Sequence, residues 1–473
     1  MKKGYTKLRT MMTPVAAAVM LGFGLGGAGV ASADETCVSP YSPKITGHEE
    51  YAYVWTLGEN GVGDEQDKLV TVDVDPNSDT YGEVINYVSV GGQNEAHHSG
   101  YTDDRRYLWA GGLDSNKIFI FDVHTDPSNP KLVKTIDDFV EQTGGVVGPH
   151  SFFALPGRMI ISALSNDRDH GGRTALVEYT NEGEFVETYW MPTDENLQGA
   201  EKTGDFADGY GYDVRFLPAA NAMITSSFTG WTNYMMDFGQ MLEDPEAMQR
   251  FGNTAVVWDL HERQAKRVLD VPGAPLEIRC AWGANYCFVT TALTSKIYVI
   301  YDDVEEGWSA KEVGTIGNPE DVPLPVAFSI SSDDRYLWIN TFMDGKTRLF
   351  DVSDPFNAKL VKERKIGAQV NMVSQSWDGD RVYFSTSLLS NWDKKGDQDE
   401  QFFRKYHFDK SNYELTEAWT IDFYEENLGR AHLITFNSAS LFEGGLAKSG
   451  DSEKMKDTVF DELILSAKET SER

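Results

Sequence analysis

The chain has 473 residues, 41% of them hydrophobic and 12% aromatic, so it can bury a large core, and its length exceeds one ordinary domain unless the architecture is repetitive. Its formal net charge is -32. So acidic a surface repels phosphate groups and argues against a nucleic-acid partner, and it also suits a protein that stays soluble in salty water.

The first 33 residues have the pattern of a secretory signal peptide. Four basic residues precede an apolar run over residues 13–30, and small residues at 31–33 supply a cleavage site. The basic residues are Lys2, Lys3, Lys7 and Arg9. An uncleaved membrane anchor is the alternative, because the run is near the lower length limit for a span. Since Gly and Ala dominate the run, we expect export with cleavage after Ala33 and no stable membrane insertion.

A repeated pattern occupies most of the remaining chain. DDRRYLWAGGLDSNKIFIFDVHTDPSNPKLVK from Asp103 and DDRYLWINTFMDGKTRLFDVSDPFNAKLVK from Asp333 match nearly letter for letter. Each contains a polar turn, two strands and the start of a third. Weaker copies begin near Tyr51, Pro156, Ala219, Gly283 and Asp378. Strand alternation and a period of roughly 45 to 65 residues predict an all-β protein, a seven-bladed β-propeller with four strands in each blade.

We place the propeller at residues 34–442 and expect the C-terminal strand to close the ring by joining the blade that begins at Tyr51. The segment YMMDFGQMLEDPEAMQRF from Tyr234 predicts a helical insertion. Residues 443–473 form a C-terminal extension in which SEKMKDTVFDELILSAKET predicts an amphipathic helix. Both helical parts are expected to pack against the propeller.

Three histidines occupy one phase of the repeat. His98, His150 and His432 lie at the same distance before the first apolar residue after a polar turn, on strands predicted to line the central channel. The same position in the other units holds Val214, Arg279, Ala327 and Val373. Because equivalent positions of a ring lie at similar heights around one axis, the three imidazoles are expected to converge. Neutral imidazoles suit copper or zinc, whereas calcium prefers carboxylates.

His97 is adjacent to this set but out of phase with it. Neighbouring residues in a regular strand point to opposite faces of the sheet. His97 therefore joins the cluster only if its strand begins irregularly, which the preceding Gly91-Gly92 pair permits.

Charged residues are also predicted on the inner strands, and they are Glu95, Asp213, Glu277 and Arg279. Glu95, Glu277 and Arg279 are candidate catalytic residues, because a carboxylate near a metal can orient an imidazole or move protons. The alternative is that these charges pair with one another.

Cys280 and Cys287 are predicted on adjoining strands of one hairpin. An exported protein lives where a disulfide persists, and both a structural disulfide and two free thiols fit the pattern.

Several stretches resemble the selenium-binding protein / methanethiol oxidase family. In chain order they are VDVDPNSDTYGEVI (72–85), EAHHSG (95–100), PLEIR (275–279), DDRYLW with DVSDP (333–355), DGDRVYFSTSLLSNWDKK (378–395) and AHLITF (431–436). The resemblance implies a copper-dependent oxidase in the bacterial periplasm that converts methanethiol, dioxygen and water to formaldehyde, hydrogen sulfide and hydrogen peroxide. It implies copper ligands at His97, His98, His150 and His432. A small thiol and dioxygen are then its partners, with a copper-delivery protein as a further candidate.

The sequence departs from eukaryotic members of that family at one place. Those members have a cysteine in the first blade that is associated with selenium, whereas YAYVWTLGENG has Val54 or Trp55 near that position. Covalent selenium binding is therefore not expected. The alternative function is a non-enzymatic exported propeller that binds a protein or cell-surface ligand, with the histidines packed or holding structural zinc.

Overall fold

The computed structural model describes residues 38–45, 47–167, 173–193 and 206–443. The predicted signal peptide and the predicted C-terminal amphipathic helix lie outside these residues. Within the described part of the chain, no helix has both the length and the apolar character needed to cross a bilayer.

The described residues form seven four-stranded antiparallel sheets arranged in a ring, which confirms the predicted seven-bladed β-propeller. The strands in chain order are β1 (Tyr51–Leu57), β2 (Lys68–Asp73), β3 (Val84–Ser89), β4 (Ala96–Tyr101), β5 (Tyr107–Gly112), β6 (Lys117–Asp122), β7 (Lys131–Ile136), β8 (Val146–Leu155), β9 (Arg158–Asn166), β10 (Ala175–Thr180), β11 (Phe185–Trp190), β12 (Val214–Leu217), β13 (Ala222–Ser226), β14 (Thr254–Asp259), β15 (Ala265–Asp270), β16 (Pro275–Cys280), β17 (Tyr286–Thr291), β18 (Lys296–Asp303), β19 (Gly307–Thr315), β20 (Pro325–Ile330), β21 (Tyr336–Thr341), β22 (Lys346–Asp351), β23 (Lys359–Lys365), β24 (Val373–Gln375), β25 (Arg381–Ser385), β26 (Phe402–Asp409), β27 (Glu414–Asp422) and β28 (Arg430–Asn437).

Each blade has one inner strand, which contacts the inner strands of neighbouring blades. Blade 1 has the order β28-β1-β2-β3, and blades 2 to 7 begin with β4, β8, β12, β16, β20 and β24. The inner strand β8 is buried along its whole length, because other blades cover both of its faces. The outer strand β7 instead alternates between more and less exposed residues, as expected for a strand with one solvated face.

Short helices interrupt this all-β pattern. The α-helices are α1 (Phe139–Gln142), α2 (Trp231–Tyr234), α3 (Phe238–Glu243), α4 (Pro245–Gln249) and α5 (Ser440–Glu443), and 3-10 turns span Pro218–Ala220, Pro319–Asp321 and Gly396–Gln398. The helices α3 and α4 confirm the predicted helical insertion, and α2 ends at its first residue. Asp237 and Asp244 are the N-cap residues of α3 and α4, and their carboxylates accept hydrogen bonds from backbone N–H groups of the first turn.

The last strand closes the ring. β28 pairs with β1 in blade 1, as the repeat predicts. It also bonds to blade 2, because the Tyr101 hydroxyl donates to the Phe436 carbonyl at 2.7 Å and the Asn437 amide donates to the Val123 carbonyl at 2.9 Å. Ring closure therefore brings His432 beside the histidines of β4.

Cys280 and Cys287 form a disulfide across the β16–β17 hairpin, where they lie directly opposite each other. The sequence left open a structural disulfide and two free thiols, and the structure has the disulfide.

Candidate metal centre

The channel histidines lie where the inner strands lose their regular pairing. The register shifts around His97 and His98 in β4, around His150 in β8 and at His432 in β28. A β-bulge adds an unpaired residue and turns its side chain in a new direction. This irregularity lets the adjacent residues His97 and His98 contribute to one cluster, as the sequence required. A matching shift in β16 falls around Glu277.

The structure brings the four predicted histidines together. The ring centre of His97 lies 4.8 Å from those of His98 and His150 and 4.1 Å from that of His432. The centre of the His98 ring is 4.1 Å from that of His150 and 5.5 Å from that of His432. His97, His98 and His150 each offer a nitrogen within 4.8 Å of the others. His432 extends this triad through its contact with His97.

Several of these nitrogens are buried without a hydrogen-bond partner. They are Nδ1 and Nε2 of His97, Nε2 of His150 and Nε2 of His432. A buried polar atom that lacks a partner costs free energy, and native proteins contain few of them. Converging imidazoles with unpaired nitrogens are the feature expected of a metal site, because a bound cation takes one nitrogen from each ring.

Burial keeps these imidazoles neutral. It holds the pKa values of His97, His98 and His150 well below 6.5, and each is lowered further by neighbouring imidazoles of the cluster. Burial also lowers the pKa of His432, to about 3. A histidine must be neutral to donate a lone pair to a metal, so the cluster is ready to bind at neutral pH.

His432 is oriented by backbone groups of the loop after β25. Its Nδ1 lies 2.7 Å from the Ser387 carbonyl oxygen, so this nitrogen carries the proton and donates it. Nε2 is then the atom left for a ligand. Fixing the tautomer of a metal-binding histidine through its second nitrogen is a common feature of metal sites.

A row of buried charges lines the channel beside the histidines. Glu277 Oε1 lies 3.7 Å from His98 Nε2, and Glu277 Oε2 lies 2.5 Å from Arg279 Nη1. Arg279 continues to Asp213 at 3.3 Å, and Asp213 contacts Arg215 at 2.5 Å. The inner-strand charges therefore pair with one another, and Glu277 also reaches a histidine. Burial raises the pKa of the Glu277 carboxyl, although Arg279 opposes the shift.

Glu95 has a different environment. Its carboxylate accepts hydrogen bonds from the backbone N–H of Ser390 at 2.8 Å and from the Ser390 hydroxyl. Its backbone adopts a positive φ of 58°, directly before β4. Burial raises its pKa to about 7. These contacts attach the start of β4 to the loop after β25, beside the histidine cluster.

An aromatic cluster covers one end of the channel. The Tyr212 ring lies 4.0 Å from that of His150, and the Phe228 ring lies 5.4 Å from that of Tyr212. Trp392 packs on Phe228 at 5.9 Å and stacks on Tyr234 of α2 at 6.0 Å. We call Tyr212, Phe228, Tyr234 and Trp392 the aromatic cap. The helical insertion contributes Tyr234, Met241 and Ala247 to the buried apolar cluster that contains these rings, at the end of the channel nearest the histidines.

Sequence reasoning did not identify the cap, Arg215 or Ser387. In blades 4 and 5, Val214 and Arg279 occupy the position that histidines occupy in other blades. Tyr212 and Glu277 each lie two residues before that position. A comparison of this earlier position across the repeats therefore offers a signal for both residues. Phe228 and Trp392 lie outside the repeated frame and give no such signal.

The donor set fits copper or zinc. Imidazole nitrogen suits both ions. Because four neutral imidazoles carry no negative charge, they do not offset the positive charge of a bound ion. The Glu277 carboxylate lies beside one of these imidazoles, with its Oε1 atom 3.7 Å from His98 Nε2.

The chain is similar to known proteins along most of its length. A statistical model of the 56 kDa selenium-binding protein family matches residues 31–440. A methanethiol oxidase of Ruegeria pomeroyi is 66% identical over 415 residues, which cover 87% of this chain and 95% of that protein. A methanethiol oxidase of a Hyphomicrobium species is 57% identical over 411 residues, covering 86% and 91%.

Among solved structures, a hypothetical selenium-binding protein from Sulfolobus tokodaii is similar in fold. The two share 24% sequence identity with a TM-score of 0.70, and the similarity covers 84% of this chain and 97% of that one. At this level of identity, the likeness supports the propeller architecture alone.

Proposed function

Because the chain belongs to the 56 kDa selenium-binding protein family, we propose that it catalyses the reaction for which two of its relatives are named, the oxidation of methanethiol. It is then an oxidoreductase that acts on a sulfur group with dioxygen as acceptor. The observation that carries the proposal is the convergence of four buried, neutral imidazoles in a chain with 66% identity to a methanethiol oxidase.

The proposed cofactor is copper, held by His97, His98, His150 and His432. Bound copper supplies a soft Lewis acid that favours the thiolate form of the substrate and a redox centre between the thiol and dioxygen. The unpaired nitrogens of the cluster support this choice of ligands. Zinc fits the same donors but carries no redox chemistry, so it corresponds to the structural alternative.

The overall reaction consumes methanethiol, dioxygen and water and yields formaldehyde, hydrogen sulfide and hydrogen peroxide. The carbon atom loses two electrons and gains an oxygen from water, while dioxygen takes up two electrons and two protons. Water must therefore reach the reacting carbon. The cavity at His98 supports this step, because polar residues, among them Arg215 and Arg279, contribute to its lining.

Three residues of the chain have assigned roles around the substrate. Glu277 orients His98, and Arg279 fixes the position of the Glu277 carboxylate. Tyr212 forms an apolar wall against His150 and keeps bulk water away from that side. A Glu277→Gln substitution keeps the side-chain shape and is expected to weaken metal binding by about 10- to 100-fold.

Export to the periplasm is part of the proposal. It is supported by the signal-peptide pattern before Ala33 and by the Cys280–Cys287 disulfide, which persists in an oxidising compartment. N-terminal sequencing of the protein recovered from the periplasmic fraction tests both the location and the cleavage site.

Metal analysis and oxygen consumption on the same samples test the central proposal. Purified mature protein is expected to contain copper and to consume oxygen when methanethiol is added. His98→Ala and His432→Ala are expected to lose both properties, whereas His261→Ala, which removes an exposed histidine, is the matched control and keeps both. Copper-loaded wild type that consumes no oxygen with small thiols would refute the activity.

The same experiment distinguishes the proposed oxidase from the alternative, a non-enzymatic binding protein. A non-enzymatic propeller with packed histidines or structural zinc predicts that the wild type contains no copper and shows no turnover. His98→Ala and His432→Ala then lower the urea midpoint, and they also lower the zinc content if the histidines hold zinc.

A further inference from the structure

A cavity leads away from the histidine cluster toward the end of the channel opposite the aromatic cap. His98 lies in its wall, together with Arg215 and Arg279. Val38, Ser39 and Ser42 also line it, although they precede the first blade in sequence. The N-terminal segment therefore borders the same cavity as a candidate metal ligand.

Residues 38–45, which we call the strap, are attached to several blades at the mouth of the channel. The Ser39 hydroxyl donates to the Ala154 carbonyl of β8 at 2.6 Å. The Lys44 ammonium group lies 4.3 Å from the ring centre of Trp282 and 5.4 Å from that of Trp377. These partners belong to blades 3, 5 and 7, so the strap crosses the ring.

All three attachment points lie at the same end of the channel. Ala154 lies at the C-terminal end of β8, and Trp282 and Trp377 follow the C-terminal ends of β16 and β24. The inner strands are related by the pseudo-symmetry of the ring, so their C-terminal ends lie at one face. The histidines lie in the N-terminal halves of β4, β8 and β28, next to the aromatic cap.

Contacts within the strap stabilise its conformation. The Lys44 ammonium group donates to the Ser39 carbonyl at 3.1 Å, and the Ser39 hydroxyl accepts from the backbone N–H of Tyr41 at 3.2 Å. Val38 is buried and packs in the same cluster as Trp282. Lys44 thus joins the two sides of the strap and fixes both to a pair of tryptophans.

We propose that substrate reaches the histidine site by passing the strap, and that the strap limits the size of the thiol that the enzyme accepts. This inference rests on the proposed function. Because the aromatic cap closes one end of the channel, substrate arrives past the strap. Val38 and Ser39 contribute side chains to the wall of the cavity, so they limit its width, and Lys44 limits how far the strap moves.

Substrate selectivity tests the proposal. Lys44→Ala removes the contacts with Trp282 and Trp377, and Val38→Ala widens the cavity at its outer end. Each is expected to raise the ratio of kcat/KM for 1-propanethiol to that for methanethiol by about tenfold or more, since one misplaced methylene in a tight site is worth about 10- to 200-fold. Lys44→Arg keeps a cation over the rings and is expected to stay near the wild-type ratio.

A matched control removes a similar contact elsewhere. The Lys311 ammonium group lies 5.3 Å from the Phe356 ring on the outer surface of the propeller. Lys311→Ala is expected to leave the ratio unchanged. An unchanged ratio in both Lys44→Ala and Val38→Ala, or an equal loss of activity with both thiols, overturns the proposal.

A second measurement does not depend on turnover. Diethyl pyrocarbonate modifies neutral imidazoles, and mass spectrometry of the metal-free protein reports the modification rate of His98 and His150. Lys44→Ala and Val38→Ala are expected to increase that rate, and Lys311→Ala to leave it as in the wild type. If methanethiol turnover is absent but these rates rise, the proposed function fails while the strap remains the entrance. If the rates do not change, the entrance lies elsewhere.

Discussion

The neutrality of the buried histidines leads to a sharp prediction about pH and metal affinity. Protons compete with a metal for an imidazole, so a site of solvent-exposed histidines weakens in acid. For a ligand with the ordinary pKa of about 6.5, lowering the pH from 7 to 5 reduces the neutral fraction by about 25-fold. Four such ligands together reduce the apparent affinity by about 4 × 10⁵-fold.

The structure predicts a different response. With a pKa of about 3, His432 is still about 99% neutral at pH 5, and burial holds the pKa values of His97, His98 and His150 well below the ordinary value in the same direction. The apparent affinity for copper(II) is therefore expected to change by less than about tenfold between pH 7 and pH 5.

Competition titrations at pH 7, 6 and 5 measure this, with each value corrected for protonation of the competing chelator. Circular dichroism at each pH verifies that the metal-free protein is still folded. A fall in affinity of about 10³-fold or more over this range would refute the reasoning, because it would mean that the imidazoles titrate as solvated groups.

Three other predictions concern the buried charges and the aromatic cap. Glu49→Ala removes the carboxylate that accepts from Arg381 at 2.7 and 2.8 Å, and urea unfolding is expected to show a loss of about 3–5 kcal/mol; a loss below about 1 kcal/mol contradicts this. Burial lowers the pKa of Lys405 from 10.5 to about 8, so its neutral form is favoured in the fold and wild-type stability should rise with pH between 8 and 10.5. Lys405→Met should lack that rise, and at pH 7 it should be more stable than the wild type by up to about 3 kcal/mol. Unfolding curves of both proteins at pH 7 and 9.5 measure the difference. Phe228→Ala is expected to cost about 3–5 kcal/mol and to speed copper loss to a chelator, and an unchanged extraction rate would show that the cap does not seal the site.

The sequence by itself determined the ring and the identity of its central residues. Strand alternation and turn residues are local signals, so seven similar units could be recognised without knowing any contact. Pseudo-symmetry then converted a shared position in the repeat into a shared position in space. For this reason His98, His150 and His432 could be grouped although they lie far apart along the chain.

Only the tertiary structure decided how His97 joins the histidine cluster, which residues cover one end of the channel and which residues border the other end. His97 depends on a bulge, which exists only through the pairing of β4 with its partner strand. The contacts of Ser39 with Ala154 and of Lys44 with Trp282 join segments that share no periodicity. Such contacts arise from the packing of the closed ring, and local sequence patterns carry no information about them.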